Sequence, residues 1–188
     1  MPNWCANSCR MTAPMDHPLM VKIKDELELG QNARWFQAVL PVPEALLDAP
    51  ARAGSPVTED EEKLEASFGY KNWYDFCVAE WKTKWEAKVD RHEIDGDSIT
   101  VWFDTAWSPP DGIYEAMHKA GISVEAAYCE QGVGFMGWWK DGQECTTDMP
   151  APDYMEDEDE DSTLSYYEAI DEFFESAGIS HAPEGLGG

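Results

Sequence analysis

Two runs of residues, Val89 to Ile94 and Ser98 to Trp107, flank the tripeptide Asp95-Gly96-Asp97, and no other feature constrains the fold as tightly. Glycine and its aspartates accept the positive φ of a tight hairpin, so the runs predict two adjacent antiparallel strands. The second alternates cleanly: Ile99, Val101 and Phe103 face one way, and Thr100, Trp102 and Asp104 the other. Such a strand has one side turned to a core. Trp102 then either covers the second face or lies beneath an added element.

The remaining elements are placed around that hairpin. Trp4 to Thr12 alternates as well, with Cys5, Asn7, Cys9 and Met11 on one side, which predicts a strand. Asp16 is placed to cap a helix from Pro18 to Leu29, whose stripe is Leu19, Met20, Ile23 and Leu27, and Gly30 ends it. Phe36 to Leu40 reads as a short apolar strand broken by Pro41 and Pro43. In NWYDFCVAEWKTKW, residues 72 to 85, helical spacing puts Trp73, Tyr74, Cys77, Val78, Trp81 and Trp85 on one stripe. The stripe reads as core, each buried ring contributing about 2 to 3 kcal/mol. A stacking platform is the alternative, with Lys82, Lys84 and Lys88 as its basic neighbours. Ser108-Pro109-Pro110-Asp111 reads as a capping box opening a helix to Ala120, with Ile113 and Met117 inward. Strands at 123–130 and 133–139 meet at Gln131-Gly132.

In order these are strand, helix, helical insertion (residues 41–86), two strands, helix, strand and one extra strand. The expectation is an α+β fold, a ferredoxin-like split β-α-β sandwich, with an acidic C-terminal helix. Residues 1–149 form the domain, and 150–188 an acidic linker, an amphipathic helix and a disordered tail.

Thirteen Lys and Arg against thirty-eight Asp and Glu give a net charge of −25. Twelve of the acids lie between Pro150 and Gly188, where there is no Lys or Arg. A field of that sign repels polyanions and anionic membranes and favours basic partners, above all proteins whose basic groove holds nucleic acid. Solubility alone is the plainer reading of the same charge. The five cysteines include no CxxC pair, so neither a disulfide framework nor a zinc site is expected, and no cofactor or metal is. The polar start MPNWCANSCR and the absence of a long apolar run make the cytoplasm the expected location.

Several stretches resemble a known family: MPNWCAN at 1 to 7, PVPE at 41 to 44, NWY at 72 to 74, KTKW at 82 to 85, FDTAWSPP at 103 to 110, YCEQG at 128 to 132 and GFMG at 134 to 137. Together they look like the YubB ferredoxin-like family over residues 1 to 145. The resemblance implies a ferredoxin-like domain carried by bacteriophages and conjugative plasmids, and it implies no catalytic residues.

Nothing reads as an active site. There is no GxSxG, phosphate-binding glycine loop or HExxH, and His17, His92, His118 and His181 read as solvated. One RNA-binding clue exists: Gln131 to Trp138 falls near the signature of RNA-recognition motifs, with Phe135 and Trp138 as stacking rings. Glutamine replaces its leading base, however, and valine one of its rings. The most unusual feature is the run Glu156, Asp157, Glu158, Asp159, Glu160 and Asp161, followed by an amphipathic helix carrying Tyr166, Tyr167, Phe173 and Phe174. These ten residues are the candidate partner-binding set. The helix either docks back on the domain or inserts its rings into a partner groove. The expected function is a non-catalytic acidic accessory protein that binds and inhibits a basic, nucleic-acid-dependent host protein. An RNA or single-stranded nucleic-acid module using the sheet is the alternative.

Overall fold

The computed structural model describes residues 3–51, 56–150, 160–181 and 183, apart from the side chains of 160–167. Six strands form one sheet: β1 (Trp4–Thr12), β2 (Lys88–Asp95), β3 (Ser98–Ala106), β4 (Ser123–Glu130), β5 (Phe135–Lys140) and β6 (Gln143–Asp148). They lie in the order β2-β3-β1-β4-β5-β6, and every neighbouring pair is antiparallel. The helices are α1 (Pro18–Leu27), α2 (Trp35–Val39), α3 (Glu44–Leu47), α4 (Glu59–Phe68), α5 (Trp73–Phe76), α6 (Asp111–Lys119) and α7 (Glu160–Ser176). With β1, α1, β2, β3, α6 and β4 taken alone, this is the split β-α-β arrangement of the ferredoxin-like fold. The segment between α1 and β2 is the helical insertion, and β5 and β6 extend the sheet beyond β4.

The alternation read in β1 and β3 decides which face is buried. Cys9, Met11, Val101, Phe103, Val124 and Ala126 point inward against Met20, Ile23 and Leu27 of α1 and Ile113, Tyr114 and Met117 of α6. The insertion adds Trp35, Phe36 and Trp81, whose rings meet edge to face: Trp35 with Phe103 at 5.2 Å and Phe36 with Trp81 at 5.6 Å. Asn7 is buried within this layer and satisfied. Its Nδ2 donates to Cys5 O at 2.7 Å and to Thr105 Oγ1 at 2.9 Å, and Tyr114 donates its hydroxyl to Asn7 Oδ1 at 3.3 Å.

Four local expectations change. Residues 35–39 are helical rather than extended, because the Glu86 carboxylate accepts the Phe36 and Gln37 N–H groups at 2.9 and 3.3 Å and so caps α2. The aromatic helix does not reach Trp85. After α5 a π-helical turn, Cys77–Trp81, ends at Lys82 with φ of 67°, and Thr83 Oγ1 donates to Ala106 O at 3.0 Å. Cys77 and Trp81 are therefore core, while Tyr74 and Val78 are exposed. At α6 the expected capping box is absent: the cap position is Pro110, and Ser108 Oγ donates instead to Lys82 O. At α1 the cap is His17, whose Nδ1 accepts the Leu19 N–H, rather than Asp16. A sixth strand, β6, also joins the sheet.

Gly112 fixes how closely α6 approaches the π-helical turn, since a Cβ there would lie 1.6 Å from the Glu80 carbonyl oxygen. Both sides of that contact are backbone, so neither can rotate away. Gly112→Ala is expected to destabilise the chain by about 3 kcal/mol, the upper part of the range for overpacking, measured by urea unfolding. Unchanged stability would show that the contact is not tight.

Candidate interaction surface

The second face of the sheet carries Ala6, Ala127, Cys129, Met136 and Trp138, and α7 lies on it. Ile170, Phe174 and Ile179 are buried against Ala127, Cys129 and Met136, with Phe173 and Ala177 packed alongside. The chain beyond α7 is pinned too: Lys140 Nζ donates to Ala177 O at 3.5 Å, and Ser8 Oγ donates to His181 O and lies 3.1 Å from His181 Nδ1. His181 is buried, not solvated, and burial lowers its pKa, so its neutral form is the docked one.

Seating Ile170 and Phe174 turns the rest of α7 outward. Glu168, Asp171, Glu172 and Glu175 are all exposed. Their spacing of three and four residues makes one row of carboxylates along the helix. A second acidic element is α4, with Glu59, Asp60, Glu61 and Glu62 in its first turn, opened by a capping box between Thr58 and Glu61.

The candidate partner-binding residues separate on this surface. Glu156, Asp157, Glu158 and Asp159 lie outside the described residues. Glu160, Asp161, Tyr166 and Tyr167 lie on α7, their side chains undescribed. Phe174 is buried in its own domain at 1% exposure, so it is an anchor of α7 rather than a ring offered outward, and Phe173 is half-buried beside it. The row at 168, 171, 172 and 175 lies outside that candidate set, and its helical spacing is plain once the buried side is known.

Phe135 and Trp138 do not form a stacking pair. Three residues apart in β5, they point to opposite faces: Phe135 meets Tyr128 at 6.3 Å, and Trp138 packs beside the α7 contact. The outer face of β4 and β5, where such a platform would sit, is covered by α7.

Two of the cavities among the described residues lie away from α7. One, of about 460 Å³, is lined by Lys82, Ser108, Asp111, Glu115, Trp139 and Glu144. Asp111 Oδ1 is buried there without a hydrogen-bond partner among the described residues. Burial, reinforced by Glu144 and opposed by Lys82, pushes the Asp111 carboxyl up to about 7. The other, of about 470 Å³, is walled by Trp73, Tyr74 and Trp85, with Asn72, Asp75 and Lys84 at its edge. Among the described residues no cluster of His, Cys, Asp or Glu could hold a metal ion. Nor is any described helix long and apolar enough to cross a membrane. Burial raises Cys9, Cys77 and Cys129 well above the ordinary thiol range, leaving them inert as nucleophiles.

Residues 80–170, just under half of the chain, match a family model described as a ferredoxin-like domain in Api92-like protein. The architecture is thus that of a ferredoxin-like α+β domain, and over this stretch the chain is similar to Api92-like proteins. The finding replaces the resemblance to the YubB family, and the phage and plasmid origin inferred from that resemblance goes with it. Among solved structures, the crystal structure of a protein api92 from Yersinia pseudotuberculosis aligns with 80% of this chain and 99% of that chain. Its identity of 11% and TM-score of 0.41 are too low to carry an argument. No curated protein shows significant similarity.

The raised Asp111 sets a pH dependence. Its folded pKa lies above its unfolded one, so its contribution is fully present below about 4 and is lost as pH rises through about 7. Glu86, pushed by burial to about 7, acts in the same direction. Thermal unfolding is expected at a higher temperature at pH 5.5 than at pH 8, and Asp111→Asn should narrow that gap chiefly by raising the value at pH 8. An unchanged gap in the variant would contradict the assignment.

Proposed function

We propose that the chain is a non-catalytic binding module that presents fixed carboxylates to a basic protein whose groove ordinarily holds nucleic acid. The observation that carries this reading is the exposed row Glu168, Asp171, Glu172 and Glu175 on a helix whose opposite side is seated in the sheet. Neighbours three and four apart on a helix stand about 5 to 6 Å from one another, a regular anionic repeat. Because the helix is docked, a partner's Lys and Arg meet charges that need little further ordering, and the binding free energy is not spent on folding a tail. The net charge of −25 adds long-range attraction for a basic partner and raises its rate of encounter. Occupying the groove in place of phosphates would inhibit the partner.

Competition measures this directly. The chain should displace labelled DNA from a basic, nucleic-acid-binding partner protein, and should itself give no mobility shift with single-stranded RNA or DNA at micromolar concentration. The fourfold variant Glu168→Gln, Asp171→Asn, Glu172→Gln and Glu175→Gln should bind about tenfold more weakly, each exposed pair contributing up to about 1 kcal/mol. Wild-type binding should largely vanish in about 0.5 M salt, where screening is nearly complete. Salt-indifferent binding, or a variant that binds as well as wild type, would contradict the reading.

A further inference from the structure

A cation lies at the edge of the cavity walled by Trp73, Tyr74 and Trp85. Lys84 Nζ sits 4.5 Å from the centroid of the Trp85 ring and 5.7 Å from that of Tyr74. Among the described residues Lys84 makes no ion pair, although the chain carries thirty-eight carboxylates. The ring faces are therefore what its ammonium contacts, an attraction of the ring quadrupole for positive charge. The same pairing recurs nearby, with Lys88 6.0 Å from the ring of Trp4 and the Arg91 guanidinium 3.5 Å from the ring of Trp102. Trp4 in turn stands 6.4 Å from Trp85, which extends the aromatic surface beyond the cavity.

We infer that this cavity is a receptor for a cationic side chain of the basic partner, a guanidinium above all, and that Lys84 is its resident occupant in the free protein. The inference deepens the proposed function and rests on it for the partner's charge. Three features select the ligand. The walls are rings, two of which already contact a cation. Asp75 lies at the edge, and among the described residues its carboxylate accepts from the Asn72 amide at 3.4 Å and from no other donor, leaving lone pairs for an incoming one. The volume of about 470 Å³ exceeds a lone guanidinium and admits the side chain with some of its backbone. A guanidinium is more weakly hydrated than an ammonium, lies flat on an indole and can pair with a carboxylate through two N–H groups. Lys84, on a flexible stem beside open water, can swing outward as the guest enters.

A nucleotide is the main competitor, since it too would stack on rings while its phosphate met Lys84. The sign of one substitution separates the two. Binding of N-acetylarginine amide and of a short arginine-glycine peptide, followed by tryptophan fluorescence and by amide shifts in NMR spectra, should tighten about fivefold in Lys84→Met, because the resident cation is gone. It should weaken about fivefold in Trp85→Leu and in Tyr74→Leu, the latter ring being exposed in the free protein, so that its loss leaves the core untouched. Adenosine monophosphate should not compete. Weaker arginine binding in Lys84→Met, displacement by the nucleotide, or no binding of either probe at millimolar concentration would overturn the inference. The variant neutralised on α7 should retain the arginine probes, so loss of partner binding there and loss of probe binding at the cavity are separate failures.

Discussion

The surface depends on the seating of Ile170, Phe174 and Ile179 against Ala127, Cys129 and Met136. Left to itself, the sequence of α7 is a poor helix. Its acids at 168 and 172, and at 171 and 175, are like-charged pairs four apart, each unfavourable by a few tenths of a kcal/mol. At seventeen residues the helix is only slightly longer than the about 12 to 15 below which even alanine-rich helices are marginal in water. Burying three large apolar side chains offsets both, at about 1.5 to 3 kcal/mol each. The hydrophobic contact thus fixes the direction in which the carboxylates point, and an acidic sequence becomes an acidic surface.

Charge is divided between inside and outside by the same fold. Glu86 and Glu130 are drawn inward as caps: Glu86 receives the N–H groups that open α2, and Glu130 those of Gly132 and Val133 in the β4–β5 turn. Asn7, Thr105 and Tyr114 tie β1, β3 and α6 together in a buried polar knot. The NWCAN and FDTAW stretches, prominent in the sequence, therefore serve the fold. The groups left outside include the α7 row, the α4 acids and the rings of Tyr74 and Trp85.

Much of this was legible in the residues. Alternation placed β1 and β3, and Asp95-Gly96-Asp97 placed the hairpin, because strand period and turn chemistry are local. Two of the misreadings share a cause, which is that a distant group decides a local outcome. Residues 35–39 become helical through a carboxylate fifty positions along the chain. Trp85 leaves the helical stripe because Lys82 turns left-handed and Thr83 is tied to the end of β3. The strand β6 is polar and lies at the edge, QECTTD, so it has no apolar alternation to announce it. The opposite facing of Phe135 and Trp138, in contrast, follows from strand parity alone. The carboxylate row could be resolved only once the sheet showed which side of α7 is buried.

Hydrogen exchange of the backbone amides of residues 168–180 in the full-length chain tests the seating of α7 most directly. The docked helix predicts protection at Ile170 and Phe174 comparable to that of β4 and β5 beneath it, since the two layers open together. Exchange at the rate of an unstructured peptide, with the sheet still protected, would mean that α7 is not held against the domain and that no fixed carboxylate row exists.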